Sequence, residues 1–134
     1  RSIEAAHLGD RVRLVEACLP GVPLPDRSFD AAFSKDMFHH LPDPGVLWSE
    51  IRRLARPGAA VAVMDLFRPA SPGAAREIVD RVAAREPEVL RTDFYNSLLA
   101  AFTPEEVQAQ LAEAGLRLEI SCVSDRHMWI RGFA

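Results

Sequence analysis

"FDAAFSKDMFHHLPDPGVLWSEIRRLARPGAAVAVMDLF", residues 29–67, decides how this chain folds. It opens on a short apolar run, Phe29 to Ser34, with the character of a buried strand. It closes on a second run, Ala59 to Phe67, apolar on both faces until Asp65. Between the two, Val46, Leu47, Ile51, Leu54 and Ala55 recur at helical spacing. Asp43 is placed to cap that helix, Pro44 suits its first turn, and Arg56-Pro57-Gly58 stops it. Strand, helix and strand joined by short links make a parallel crossover unit.

The polar segment inside this unit, "SKDMFHHLPDP" (34–44), sits at the carboxyl end of the first strand. Open parallel sheets bind their ligands beyond the carboxyl ends of the strands, so this segment lies where such a fold does its chemistry.

Working outward, "RVRLV" (Arg11 to Val15) alternates apolar and basic residues and predicts a strand, followed by the proline-rich loop "LPGVPLPDRS". Downstream, Ser71 and Pro72 start a helix whose Ala75, Ile78, Val79, Val82 and Ala83 share one face. Pro87 interrupts it, and "EVLRTDFYNSLLAAF" predicts another helix. "TPEE" from Thr103 combines a cap, a first-turn proline and a glutamate three residues on, and Gly115 suits the end of that helix. "RLEISCV" and "HMWIRGF", separated by "SDR", predict a terminal antiparallel hairpin. The expectation is one α/β domain over residues 1–134, a mostly parallel sheet with helices on both faces.

Composition narrows the function classes. A net charge of -3 gives no basic field for nucleic acid, and no apolar run reaches the roughly 18 residues that span a bilayer. The two cysteines, Cys18 and Cys122, form no CxxC pair and read as reduced thiols of a cytoplasmic protein. Adjacent histidines, His39 and His40, with no further ligand at helical spacing, do not make a metal site.

The order of these motifs, "LPDRSFDAAFSKDMFHHLPDPGVLWSEIRRLARPGAAVAVMD" followed by "FTPEEVQAQLAEAGL", resembles the class I S-adenosylmethionine-dependent methyltransferases that act on small molecules. The resemblance implies a Rossmann-like sheet in the order 3-2-1-4-5-7-6 with strand seven antiparallel. On that alignment the chain begins at the helix before strand three and carries strands three to seven, an incomplete methyltransferase sheet. Arg1 in place of Met fits an absent upstream part. No GxG occurs among the seven glycines, so the glycine-rich loop that lets backbone approach the cofactor is missing.

The resemblance also implies roles for residues, with S-adenosylmethionine as the cofactor and a small molecule as the acceptor. After strand three the family's adenine-binding positions fall on Ala17, Cys18 and Leu19. There Cys18 is a poor acceptor in place of the usual carboxylate, while the Leu19 amide remains available. Ser34 and Asp36 fall beside the methionine part of the cofactor, and Asp36 is alternatively a cap for the "MFHHL" turn. His39 and His40 are candidate bases; as neighbours they cannot both face one pocket, so one is expected to line the substrate side and the other to pack. Asp65 is a substrate candidate whose alternative is an ion pair with Arg68, and Tyr95 in "DFYNS" is a lid candidate.

With strands one and two missing, one edge of "FDAAFS" has no neighbour. The chain is then expected either to move Arg11–Val15 against Phe29–Ser34 or to self-associate, and to bind S-adenosylhomocysteine weakly by itself. The competing reading is a non-catalytic α/β module completed by a partner or a second copy.

Overall fold

The computed structural model describes residue 5 and residues 7–134. The helix expected before strand three falls largely outside the described residues. Four strands form one sheet: β1 (Phe29–Lys35), β2 (Ala55–Leu66), β3 (Leu118–Cys122) and β4 (His127–Phe133), in the order β1-β2-β4-β3. β1 and β2 run parallel, while β4 is antiparallel to both β2 and β3. The crossover and the terminal hairpin therefore both form.

Arg11–Val15 does not. It makes no strand, and Val12, Leu14 and Val15 remain exposed. Among the described residues the sheet thus holds four strands, not five, and no rearrangement brings this segment against β1. An alternating pattern specifies which face a strand would bury, but it makes no strand without a neighbour to supply its backbone hydrogen bonds.

The helices are α1 (Gly45–Leu54), α2 (Pro72–Val82), α3 (Glu88–Ala100) and α4 (Pro104–Ala114), with a short 3-10 turn at Phe38–His40. Asp43 accepts a hydrogen bond from the Gly45 amide at 2.9 Å, at the entrance to α1. Ser71 Oγ accepts from the Ala74 amide, and Thr103 with Glu106 forms a reciprocal capping box. Gly115, at φ 66°, ends α4 in the left-handed conformation. β2 begins four residues earlier than expected. Its Ala55–Gly58 stretch joins the strand through a register irregularity opposite Phe29 to Ala31, with Gly58 at φ 81°, where Pro57 cannot donate to a regular ladder.

Register assigns the sheet's two faces. Val61, Val63, Met128 and Ile130 share one face with Phe38, Leu47, Trp48, Ile51, Val107 and Leu111, forming the main core beneath α1 and α4. On the other face Leu66 joins Ala75, Ile78, Val79, Leu98 and Ala101 in a second core built by α2 and α3. Helices thus lie on both sides of the sheet. The second side is covered at only one end: Phe33 and Phe133 are left exposed.

Candidate functional site

The site is built around one carboxylate. Asp65, near the end of β2, has no exposed surface. An acid there is costly unless its charge is met, and here four donors meet it. Oδ2 accepts the backbone N–H groups of Met37 and Phe38 at 2.9 and 2.7 Å. Oδ1 accepts the Leu66 amide at 2.8 Å and lies 2.5 Å from His39 Nδ1. Burial alone would push this carboxyl up. The His39 hydrogen bond and charge, with the Phe38 and Leu66 amides, outweigh burial and hold it below the usual carboxylate range.

Two expectations are corrected by this geometry. Asp65 pairs with His39 and not with Arg68, which bonds Glu106 instead. It is also Asp65, not Asp36, that caps the turn carrying the histidines. Asp36 points outward at φ 51° and pairs with Lys35.

His39 is buried against Asp65 while its neighbour His40 is exposed, the two rings 4.0 Å apart. Both line a cleft of about 310 Å³ with Asp36, Leu66, Leu90, Asp93, Phe94, Ser97 and His127. With Asp65 ionised, His39 Nδ1 carries the hydrogen and donates it, which fixes the tautomer and leaves Nε2 as the basic atom. Nε2 has no protein partner among the described residues. The chemistry available is proton abstraction by an imidazole that a buried carboxylate orients. A second groove, about 390 Å³ between α1 and α4, has no buried acid–histidine pair on its wall.

The other sequence-derived candidates separate. Tyr95 is turned to α2, where the Arg76 guanidinium lies 4.0 Å from its ring centre, and it does not line the cleft. Its neighbour Phe94 does, while also packing against the second core. Leu90, Asp93, Phe94 and Ser97 lie at helical spacing on one face of α3, a signal present in the sequence once α3 is placed beside the strand ends. His127 could be found only through topology, because antiparallel pairing sets it opposite Leu66. Its ring is anchored at Nδ1 to Ser124 Oγ at 3.2 Å, and burial, helped by Arg126, holds its pKa below the usual histidine value.

Ala17 and Cys18 are exposed in the irregular chain before β1, Leu19 packs against the main core, and none of the three lines the cleft. Ser34, at the end of β1, holds its Oγ sealed and, among the described residues, without a partner. A sealed hydroxyl that lacks a partner fits one side of a polar cofactor at the strand end. The residues present therefore suit part of such a group's surroundings, and no glycine loop in this sequence supplies the rest. The loop before β1 is fixed by Glu50 and Arg53 of α1: Glu50 accepts the Val22 amide at 3.1 Å, and Arg53 donates to the Val22 and Leu24 carbonyls and to Asp26. Among the described residues no group of histidines, cysteines and acids is arranged to hold a metal, and no helix is long and apolar enough to cross a membrane.

Comparison with known proteins places this arrangement. A family model described as a methyltransferase domain matches residues 2–63. The 27-O-demethylrifamycin SV methyltransferase of Amycolatopsis mediterranei is 31% identical over 115 residues, which are 85% of this chain and 39% of that protein. The chain thus spans about two fifths of that relative's length. A SAM-dependent methyltransferase from Aquifex aeolicus superposes with a TM-score of 0.70 at 20% identity, covering 98% of this chain and 58% of its own. The [4+2]-cyclase SpnF superposes at 0.56 and 22% identity, covering 90% of this chain and 37% of its own. The fold is the one these solved structures share, the class I methyltransferase fold. A neighbour named as a cyclase means that the reaction has to be argued from the site.

Proposed function

We propose that this chain, built on the S-adenosylmethionine-dependent methyltransferase fold, provides the acceptor side of a methyl-transfer site on a small molecule. The observation that carries the reading is the buried Asp65–His39 pair on the wall of the cleft at the strand ends. When bound, S-adenosylmethionine supplies an electrophilic methyl group on a positively charged sulfur. His39 Nε2 takes the proton of the acceptor's hydroxyl or amine as that atom attacks, and Asp65 stabilises the resulting imidazolium. His40, beside it, contacts the acceptor. Ser34 and the backbone at Asp36 hold the cofactor at the end of β1, while Ala17, Cys18 and Leu19 contribute to adenine binding. In-line displacement draws much of its acceleration from orientation, so the anchoring of His39 by Asp65 supports the reading.

The test is His39→Asn in the full-length protein, assayed for methyl transfer. A fall of about 100-fold or more in kcat at neutral pH, partly recovered at higher pH, is the expected result. Unchanged turnover with a flat pH profile would overturn the assignment.

A second proposal follows from the open end of the sheet: the chain is one part of its domain, cytoplasmic in location, and is completed by a further segment or by a second copy. The unpaired edge of β1 and the exposed Phe33 and Phe133 support it. By itself the chain should then bind S-adenosylhomocysteine weakly and self-associate.

A further inference from the structure

The charge pattern of the cleft speaks to the kind of acceptor it admits. Leu66, Leu90 and Phe94 give it apolar walls, Ser97 adds a hydroxyl, and Asp36 and Asp93 are its carboxylates. Asp36 is neutralised by Lys35. Asp93 has no hydrogen-bond or ion-pair partner among the described residues. Among the described residues no lysine or arginine lines the cleft, and the nearby cations are engaged elsewhere. Arg91 bonds Asp80 at 2.6 Å and Glu88 at 3.2 Å, Arg76 covers Tyr95, Arg126 pairs with Asp125 at 2.9 Å, and Arg68 holds Glu106. His127 is kept in its neutral form by burial, so it adds hydrogen-bonding capacity without positive charge at neutral pH.

One uncompensated carboxylate thus shares the cleft with an aromatic ring. Asp93 and Phe94 are adjacent on α3, and both line the cleft. A carboxylate and a ring face together recognise a cation, through Coulomb attraction and the ring's quadrupole. Resting on the reading of this cleft as the acceptor site, we propose that the acceptor carries a protonated amine, held by Asp93 against Phe94, close to the atom presented to His39. Carboxylated or phosphorylated acceptors are disfavoured, because they would meet Asp93 with no cation to offset it. A volume of about 310 Å³ lies at the small end of ligand sites, so the cleft takes an amine-bearing ring or short chain, not the whole of a large scaffold.

Three probes matched in size but not in charge test this: 2-phenylethylamine, 2-phenylethanol and phenylacetate. Each is titrated into the full-length protein at low salt without cofactor, following the histidine and phenylalanine side-chain NMR signals. The amine should bind about fivefold more tightly than the alcohol, and phenylacetate most weakly. Asp93→Asn should bring the amine down to the alcohol's affinity and leave the alcohol unchanged. Phenylacetate binding as well as the amine, an amine-to-alcohol ratio untouched by Asp93→Asn, or no binding of the amine at all would each overturn the proposal. Because these titrations involve no methyl transfer, they stand apart from the His39→Asn result. Turnover that survives loss of His39 would refute the base and leave the amine preference to be judged by the probes.

Discussion

On one face of the sheet Val61, Val63, Met128 and Ile130 are sealed beneath α1 and α4, whereas on the other Phe33 and Phe133 keep 67% and 70% of their surface exposed. The same four strands present both faces, so composition alone does not explain the contrast. What differs is how much of each face the helices cover. α1 leads directly into β2, and α4 leads through Gly115 into β3, so both helices are delivered to the first face. α2 and α3 reach the second face only near Leu66, where their own core lies. The cleft opens at that same finished end, between α3 and the strand termini. Completeness of packing and placement of the chemistry thus coincide. The polar cluster after β1 is held rigidly because Asp65, on the sealed face, anchors it from below.

Removing that anchor should produce the largest effect. Asp65→Ala leaves the Met37 and Phe38 amides and His39 without their acceptor inside the core. It should destabilise the chain by about 3–5 kcal/mol, measured by urea denaturation. Asp65→Asn, which keeps the shape, should cost less. The pH dependence has a defined sign. The folded-state pKa of Asp65 lies below its ordinary value of 3.8, so its stabilising contribution is fully present above that value and is lost as pH falls through the folded pKa. A wild-type acid unfolding curve superimposable on that of Asp65→Asn would show that the carboxylate's charge adds nothing, and that the sealed face does not depend on it.

The contrast also marks how much was legible beforehand. The crossover from Phe29 to Asp65, the capping box at Thr103 and the terminal hairpin are all local patterns, in which nearby residues satisfy one another's backbone groups. They form as the spacing predicts. Arg11–Val15 carries an equally clear local pattern and fails, because a strand's partner is never local. The site divides in the same way. His39 and His40 were visible as residue types in a telling place, but which of them is buried depended on a carboxylate 26 positions away. The pairing of Asp65 with His39, in place of Arg68, follows from the parallel register of β1 and β2. The turn of Tyr95 toward Arg76 depends on the packing of α2 against α3. His127 needed the antiparallel register of β4 to be placed at all.

A smaller effect is expected where the first face meets the loop before β1. Glu50 is buried at the base of that loop and bonds Arg53 and the Val22 amide. The Arg53 hydrogen bond, opposed by burial and assisted by the backbone of Gly21 and Val22, lowers its pKa from 4.5 to about 2. Glu50→Ala should cost about 2–3 kcal/mol and release residues 20–27 to faster amide exchange, leaving the α4 amides protected. The wild-type pair should contribute fully above pH 4.5 and lose its contribution as pH falls toward about 2. Equal exchange in the loop with and without Glu50 would show that the chain before β1 is held by something other than α1.

The smallest effect on stability, and the most direct probe of the unfinished face, belongs to Phe33→Ser. Phe33 meets Trp129 at 6.5 Å between ring centres and is otherwise largely exposed, so its loss should change stability by no more than about 0.5 kcal/mol. Association is another matter. A β1 edge without a partner, flanked by an exposed aromatic ring, is a template for a second strand. Light scattering across a concentration series should therefore show the wild-type chain growing in mean mass, and Phe33→Ser shifting that growth to higher concentration. Should the wild type stay monomeric at every concentration, the open face would be tolerated by water and would need no cover. Should both proteins associate alike, the contact would have to be sought away from this edge, and the contrast between the faces would concern folding alone.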